Sequence, residues 1–260
     1  MRERESLNSG GQSIFEDRLF HDADLVQFYD IENGCAADWE YCAAMADGAG
    51  SVLDLGCGTG GFLTYLKDAK QLCGVDPATA MLDVARTRPG GENVDWVQGD
   101  ALTVRLPRKF DLVVLTGHAF QVFLTPHDQR AVLATIAAHL TPQGRFVFDT
   151  RNPLSGEWRS WTPGETRRVF EHPDLGPVTS WNDVSQDAAT GIVTYETYYR
   201  TDANGDVFTA SSKIAFPGQG NLVQMMDEAG LEIEQWLGDW QGTPYSSKSP
   251  EIIPLGRLQS

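Results

Sequence analysis

Between Val52 and Thr150 the chain alternates short, nearly continuous apolar runs with segments whose apolar residues recur at helical spacing. The runs are Val52-Leu53-Asp54-Leu55, Leu72–Val75, Val94–Val97, Phe110–Leu115 and Arg145–Thr150, most of them ending at Gly, Asp or Thr. Strands buried on both faces read this way, because helices cover each side of a parallel sheet. The intervening faces, Phe62-Leu63-Leu66-Ala69, Met81-Leu82-Ala85 and Leu133-Ile136-Leu140, predict the covering helices. The last of these starts at Thr125-Pro126-His127-Asp128, a hydroxyl cap followed by proline and an acid, and stops at Thr141-Pro142-Gln143-Gly144. Upstream, Leu25–Asp30 and Asp38–Ala46 predict one or two helices, behind a loose polar leader over 1–23.

From about residue 156 the period changes to two. Thr166–Glu171, Val178–Ser185, Ile192–Arg200 and Val207–Phe216 alternate, with turn signals at Thr190-Gly191 and Asn204-Gly205, and predict an antiparallel meander. A helix over Asn221–Ala229 and strands over Leu231–Trp236 and Ile252–Leu258 then return to the core. The expected organisation is a leader at 1–23, a core built from 24–155 and 217–260, and a β insertion at 156–216 that covers substrate or forms a dimer surface.

The first run breaks into Gly56-Cys57-Gly58-Thr59-Gly60-Gly61 and restarts as a helix. Glycines there allow positive φ and close approach of backbone to a ligand. Gly56-x-Gly58-x-x-Gly61, with Asp76 about twenty residues on, satisfies a dinucleotide-binding fingerprint. Asp54 and Thr59 extend it to Asp-x-Gly-x-Gly-x-Gly, which resembles the first motif of class I S-adenosylmethionine-dependent methyltransferases. The resemblance continues in order through Gly74-Val75-Asp76-Pro77, Gln98-Gly99-Asp100-Ala101 and Phe110–Leu115.

That resemblance implies a doubly wound α/β fold with a seven-stranded, mostly parallel sheet of order 3-2-1-4-5-7-6 and a terminal antiparallel pair. It implies S-adenosyl-L-methionine as cofactor and S-adenosyl-L-homocysteine as product. Asp54, Gly56, Cys57, Gly58, Thr59 and Gly60 would form the cradle. Asp76, with Pro77 and Met81 beside it, would hold the ribose, and Asp100 and Ala101 the adenine. Thr116 and Gly117 would close the site at the end of the fourth strand. Tyr29 either covers the methionine end or packs in the core.

Ligands of open α/β sheets bind beyond the carboxyl ends of the strands, which marks Phe120, Gln121, Arg151 and Asn152 as substrate-side. Trp240, in a Gly- and Pro-rich loop, joins them, and Tyr29, Phe120 and Trp240 are candidates to enclose a cationic methyl group. His118 is the candidate general base or acceptor contact. The Asn/Asp-Pro-Pro-aromatic sequence of base- and amide-methylating enzymes is absent from 116–121. His127 and His139 read as helix-surface residues, and Cys57 as a small turn residue.

A formal net charge of −16, with no Lys/Arg cluster, argues against nucleic acid. Four unpatterned cysteines and no apolar leader point to a cytoplasmic protein with no membrane span. No metal is expected, the partner is a small-molecule acceptor, and the chain is a monomer or homodimer. The function expected is methyl transfer to N or O of that acceptor. Its rivals are an NAD(P)-dependent oxidoreductase and a non-catalytic S-adenosylmethionine-binding protein.

Overall fold

The computed structural model describes residues 17–34, 37–66 and 71–259. Three short helices, α1 (Arg18–His21), α2 (Ala23–Val26) and α3 (Tyr29–Glu32), precede α4 (Ala37–Ala46). Helix α1, capped by Asp17, lies inside the stretch expected to be a loose leader, whose first 16 residues lie outside the described ones.

The core follows as β1 (Ser51–Leu55), α5 (Gly61–Tyr65), β2 (Gln71–Asp76), α6 (Thr79–Thr87), β3 (Val94–Gln98), β4 (Phe110–Leu115), α7 (Pro126–His139), β5 (Leu140–Phe148) and the two-residue β6 (Thr150–Arg151). After α8 (Pro163–Thr166) come β7 (Arg168–His172), β8 (Gly176–Gln186), β9 (Val193–Thr201) and β10 (Val207–Ile214), then α9 (Gln219–Glu228), β11 (Leu231–Leu237) and β12 (Glu251–Leu258). The main sheet runs β11-β12-β5-β4-β1-β2-β3, with β6 pairing β12. Counting the last two strands as sixth and seventh, this is the expected order 3-2-1-4-5-7-6 with its antiparallel pair.

Period two sorts the strands between two cores. Leu53, Leu55, Val113, Leu115, Phe146 and Phe148 face α7 and α9, while Val52, Leu112, Val114 and Val147 face α4 and α5. Because both faces are buried, every position of β1 is inaccessible, which is why the run is apolar throughout apart from Ser51 and Asp54. The parallel register sets Leu53 against Cys73 and Val113, and brings the carboxyl ends of β1, β2 and β4 to one edge.

Two local expectations are revised. The helix after the glycine loop stops at Tyr65, with Leu66 extended; Ala69 lies outside the described residues. His139 is buried, not on the surface: its Nδ1 lies 2.7 Å from the Thr135 carbonyl and its Nε2 accepts from the Leu106 amide at 2.8 Å. Burial, helped by the Arg105 and Lys109 charges, holds it below the usual histidine value against the opposing pull of the Thr135 contact.

The second sheet has the order β7-β8-β9-β10. Val178, Tyr199 and Ala210 on its inner face pack against Leu25 and Phe28 of the N-terminal segment, and Phe28 stacks on Tyr199 with ring centroids 4.2 Å apart. The same face is rich in Ser and Thr, with Ser180, Thr197 and Ser212 buried. That composition suits a wall facing a polar ligand better than a dry core.

Candidate functional site

A cavity of about 810 Å³ lies at the carboxyl edge of the main sheet, bounded by the glycine loop, α3, the ends of β2 to β5 and the inner face of the second sheet. Pockets for small ligands run from about 300 to 1,000 Å³, so this one has room for a cofactor and a second molecule.

Gly56, Gly58 and Gly60 have φ of 75°, 52° and 74°, which only glycine adopts without strain. Their amides, however, are already used. Those of Gly56 and Cys57 donate to the Val75 carbonyl (2.7 and 3.1 Å), that of Gly60 to Cys57 (2.9 Å), and that of Gly58 to Asp76 Oδ2 (2.9 Å). The loop therefore lacks the cluster of free N–H groups that would cradle a pyrophosphate. Gly60 does not line the cavity: a Cβ there would meet the Trp96 ring at 2.3 Å, so this glycine serves close packing. The other proposed cradle residues do line it.

An outer brace fixes the loop. Thr59 Oγ1 donates to Asp30 Oδ1 at 2.6 Å, and Arg88 donates to the Thr59 carbonyl at 3.0 Å and to Asp30. Asp30 belongs to α3, and the brace brings Tyr29 over the loop: a Cβ on Gly58 would lie 3.6 Å from the Tyr29 hydroxyl. The tyrosine thus stands at the cavity wall. Asp30 and Arg88 had no sequence signal, since they are joined only through the fold.

Acidic groups dominate the cavity. Asp54 is 3% exposed, and burial, then the Asp76 and Asp38 charges, push its carboxyl up to about 8. Asp76 also accepts from the Ala78 amide at 2.8 Å, and burial raises it. Asp100 accepts from the Leu102 amide at 2.9 Å. Both thus shape turns while lining the cavity with Pro77, Met81 and Ala101. The Cys57 thiol is held far up by burial, which makes it a poor nucleophile.

Thr116, Gly117 and His118 line the cavity at the end of β4. His118 has φ 61°, its amide donates to Asp149 Oδ1 at 3.0 Å, and its Nε2 sits 3.0 Å from Glu251 Oε1 and 3.6 Å from Asp149 Oδ2. Burial lowers its affinity for a proton, but Asp149 and the Glu251 hydrogen bond outweigh that and raise it above the usual histidine value. The resting side chain is therefore drawn toward imidazolium, which disfavours it as a free general base. His118, Asp149 and Glu251 bring ligand atoms within 4.8 Å of one another, a grouping no sequence spacing announces.

The substrate-side expectations divide. Arg151 and Trp240 line the cavity. Phe120 does not: it is fully buried and stacks on Phe148 at 4.5 Å, because the 3-10 turn at Ala119–Val122 rotates it into the core. Gln121 is also fully buried; its side chain donates to the Ala215 carbonyl at 3.0 Å and accepts from Arg151 at 2.9 Å. Asn152 is a buried bracket, donating to the Ser249 carbonyl at 2.8 Å. Asp149 and Glu251 were missed. Asp149 had the signal that marked Asp76, an acid at a strand's carboxyl end, whereas Glu251 arrives from the far end of the chain.

Residues 52–144 match a family model described as "Methyltransferase domain". The curated "Cypemycin N-terminal methyltransferase" of a Streptomyces species is 23% identical over 93% of this chain and 96% of its own. Among solved structures, the CcbJ methyltransferase of Streptomyces caelestis superposes with a TM-score of 0.74 at 21% identity, covering 93% of this chain and 97% of that one. CalS10, an amino pentose methyltransferase from Micromonospora echinaspora solved with S-adenosylmethionine bound, gives 0.66 at 21% identity, covering 86% and 93%. The chain carries a methyltransferase domain in the class I, S-adenosylmethionine-dependent fold.

Proposed function

We propose that this class I S-adenosylmethionine-dependent methyltransferase methylates a nitrogen or oxygen atom of a small molecule, and that the atom is the nitrogen of an amine. The observation that carries the reading is the pair of carboxylates, buried Asp149 and partly buried Glu251, facing the cavity at the end of the central strands. Such a pair attracts an ammonium group and takes the proton it must shed before its lone pair can attack. The N-terminal and amino pentose methyltransferases similar to this chain agree with it.

The residues present fit the cofactor. When bound, S-adenosylmethionine supplies a methyl group on a positively charged sulfur, open to in-line displacement. In the proposal, Asp76 takes the ribose diol, Asp100 and Ala101 the adenine edge, and Pro77 and Met81 its faces. Asp54, with Gly56, Cys57, Gly58 and Thr59, holds the methionine end, and Thr116 and Gly117 border it beneath Tyr29. Acidic lining suits a cation, and a loop whose Gly56, Cys57, Gly58 and Gly60 amides are already bonded suits a ligand without phosphates. The protein's main contribution is to orient two bound partners and exclude water. Asp149 Oδ2, which makes no hydrogen bond, receives the acceptor's proton, and His118 holds Asp149 and Glu251 in place. Trp240 closes the acceptor side. Buried thiols at Cys42, Cys57 and Cys73 fit a reducing, cytoplasmic setting. Among the described residues no helix is long and apolar enough to cross a membrane.

The test is titration calorimetry with S-adenosylhomocysteine beside NADH and NADPH, followed by a screen of amines and alcohols for acceptor-dependent methyl transfer. Binding of the thioether alone and turnover with amines support the reading. Binding of a nicotinamide alone overturns it, and bound cofactor without turnover on any acceptor assigns a non-catalytic role.

A further inference from the structure

β6 and β12 pair so that Arg151 stands directly opposite Glu251. Opposed residues of an antiparallel pair project to the same side, with Cβ atoms about 5 Å apart. A guanidinium and a carboxylate placed this way would ordinarily form an ion pair, and here they do not. Arg151 donates to Gln121 at 2.9 Å and lies 3.8 Å from Glu157 at the rim. Glu251 Oε1 is turned to His118. Buried and without any hydrogen-bond partner are Arg151 Nε, Glu251 Oε2 and Asp149 Oδ2, all on residues lining the same end of the cavity. The Asp149 side chain is 1% exposed.

Buried charged groups are costly to leave unpaired. These are also held rigidly. The Arg151 guanidinium lies over the Trp161 ring at 4.9 Å, Gln121 behind it is fixed by Ala215, and Asp149 is fixed by the His118 amide. The two carboxylates share His118 and the guanidinium lies near Glu157, yet each of the three keeps one buried polar atom without a hydrogen bond, and such a site is complementary to a ligand that brings both charges. An amino nitrogen and a carboxylate carbon borne on one carbon are about 2.5 Å apart, close enough for each to reach its own member of the cross-strand pair.

Resting on the amine reading above, we propose that the acceptor carries an α-amino carboxylate unit, its ammonium received by Asp149 and Glu251 and its carboxylate by Arg151. The charges of Arg151 and Glu251 are kept apart so that both remain available.

Protein saturated with S-adenosylhomocysteine is titrated calorimetrically with each of the twenty common α-amino acids, their methyl esters and the matching decarboxylated amines. At least one amino acid is expected to bind saturably, with its ester and its amine at least tenfold weaker. Arg151→Gln should bring the amino acid down to the level of the amine, Arg151→Lys should recover part of the difference, and both variants should keep wild-type affinity for S-adenosylhomocysteine, which shows that they fold. No saturable amino-acid binding, equal binding of the ester or amine, or discrimination unchanged in Arg151→Gln overturns the proposal. So does amino-acid binding that vanishes with a chelator and returns with magnesium or manganese, which would make His118, Asp149 and Glu251 metal ligands. Methylation of plain amines without carboxylate preference sinks this inference and leaves methyl transfer to amines standing, whereas failure to bind S-adenosylhomocysteine strikes the earlier reading.

Discussion

The Tyr199 hydroxyl on β9 donates to the Glu32 carboxylate on α3 at 2.6 Å. Ser180 donates to the other Glu32 oxygen at 3.0 Å, and Arg168 completes the set. Two residues earlier on the same short helix, Asp30 binds Thr59 of the glycine loop. A single turn of helix therefore ties the second sheet to the proposed cofactor loop. Tyr199→Phe removes a hydrogen bond to a charged acceptor and should cost about 1.5–3 kcal/mol. Hydrogen exchange in β8 and β9 should accelerate more than in β1 or β4; uniform acceleration would show that the second sheet is not held through this contact.

Asp76 has two duties in the structure, since it caps the Gly58 and Ala78 amides as well as facing the cavity. Asp76→Ala is expected to weaken S-adenosylhomocysteine binding more than tenfold and to lower stability by about 1–3 kcal/mol through the stranded donors. Calorimetric titration and urea melts of one variant check both. Unchanged affinity in a folded variant would remove Asp76 from the ribose site.

The raised carboxyl of Asp54 gives a pH dependence of definite sign. In the unfolded chain this group loses its proton near 4, while the folded protein keeps it up to about 8. Between those values the native state binds more protons, so this residue's contribution makes stability fall as pH rises and then level off above about 8. Asp54→Asn should flatten the fall. Thermal melts of the ligand-free proteins from pH 5 to 9 measure it, and parallel curves would refute the assignment.

His118 is expected to titrate above the ordinary histidine value, since Asp149 and Glu251 outweigh burial and the nearby Arg151. The stabilisation it contributes is complete below about 6.5 and is lost as pH rises through the raised folded value. Asp149→Asn should move its imidazole resonances to titrate at lower pH in NMR spectra. A midpoint that stays in place would show that Asp149 does not set it.

Phe120, fully buried against Phe148, should behave as a core residue. Phe120→Ala is expected to cost about 3–5 kcal/mol, while Trp240→Ala, at the cavity wall, should cost less and change acceptor selectivity more. Denaturant melts and the acceptor screen separate the two.

The order of apolar runs, the glycine loop and the acids at strand ends were legible in the sequence because local spacing encodes them. Strand period sorts Leu112 and Val114 from Val113 and Leu115, and an acid after an apolar run, as at Asp76, must emerge at the carboxyl edge of a parallel sheet. The meander was equally visible, since alternation and turn residues specify hairpins locally. What sequence spacing left open is every contact made across the chain. Whether Phe120 faced the ligand or the core depended on one 3-10 turn. That Gln121 and Asn152 are buried brackets followed from partners at Ala215 and Ser249. The glycine-loop amides read as free donors until Val75 and Asp76 were seen to occupy them. The meeting of His118, Asp149 and Glu251 joins residues 31 and 133 positions apart, and the register that sets Arg151 against Glu251 joins two distant strands. Hydrophobic periodicity determines which elements form and which faces they bury. Only tertiary packing decides which polar groups at their ends become neighbours, because that depends on sheet order and register and not on any local pattern.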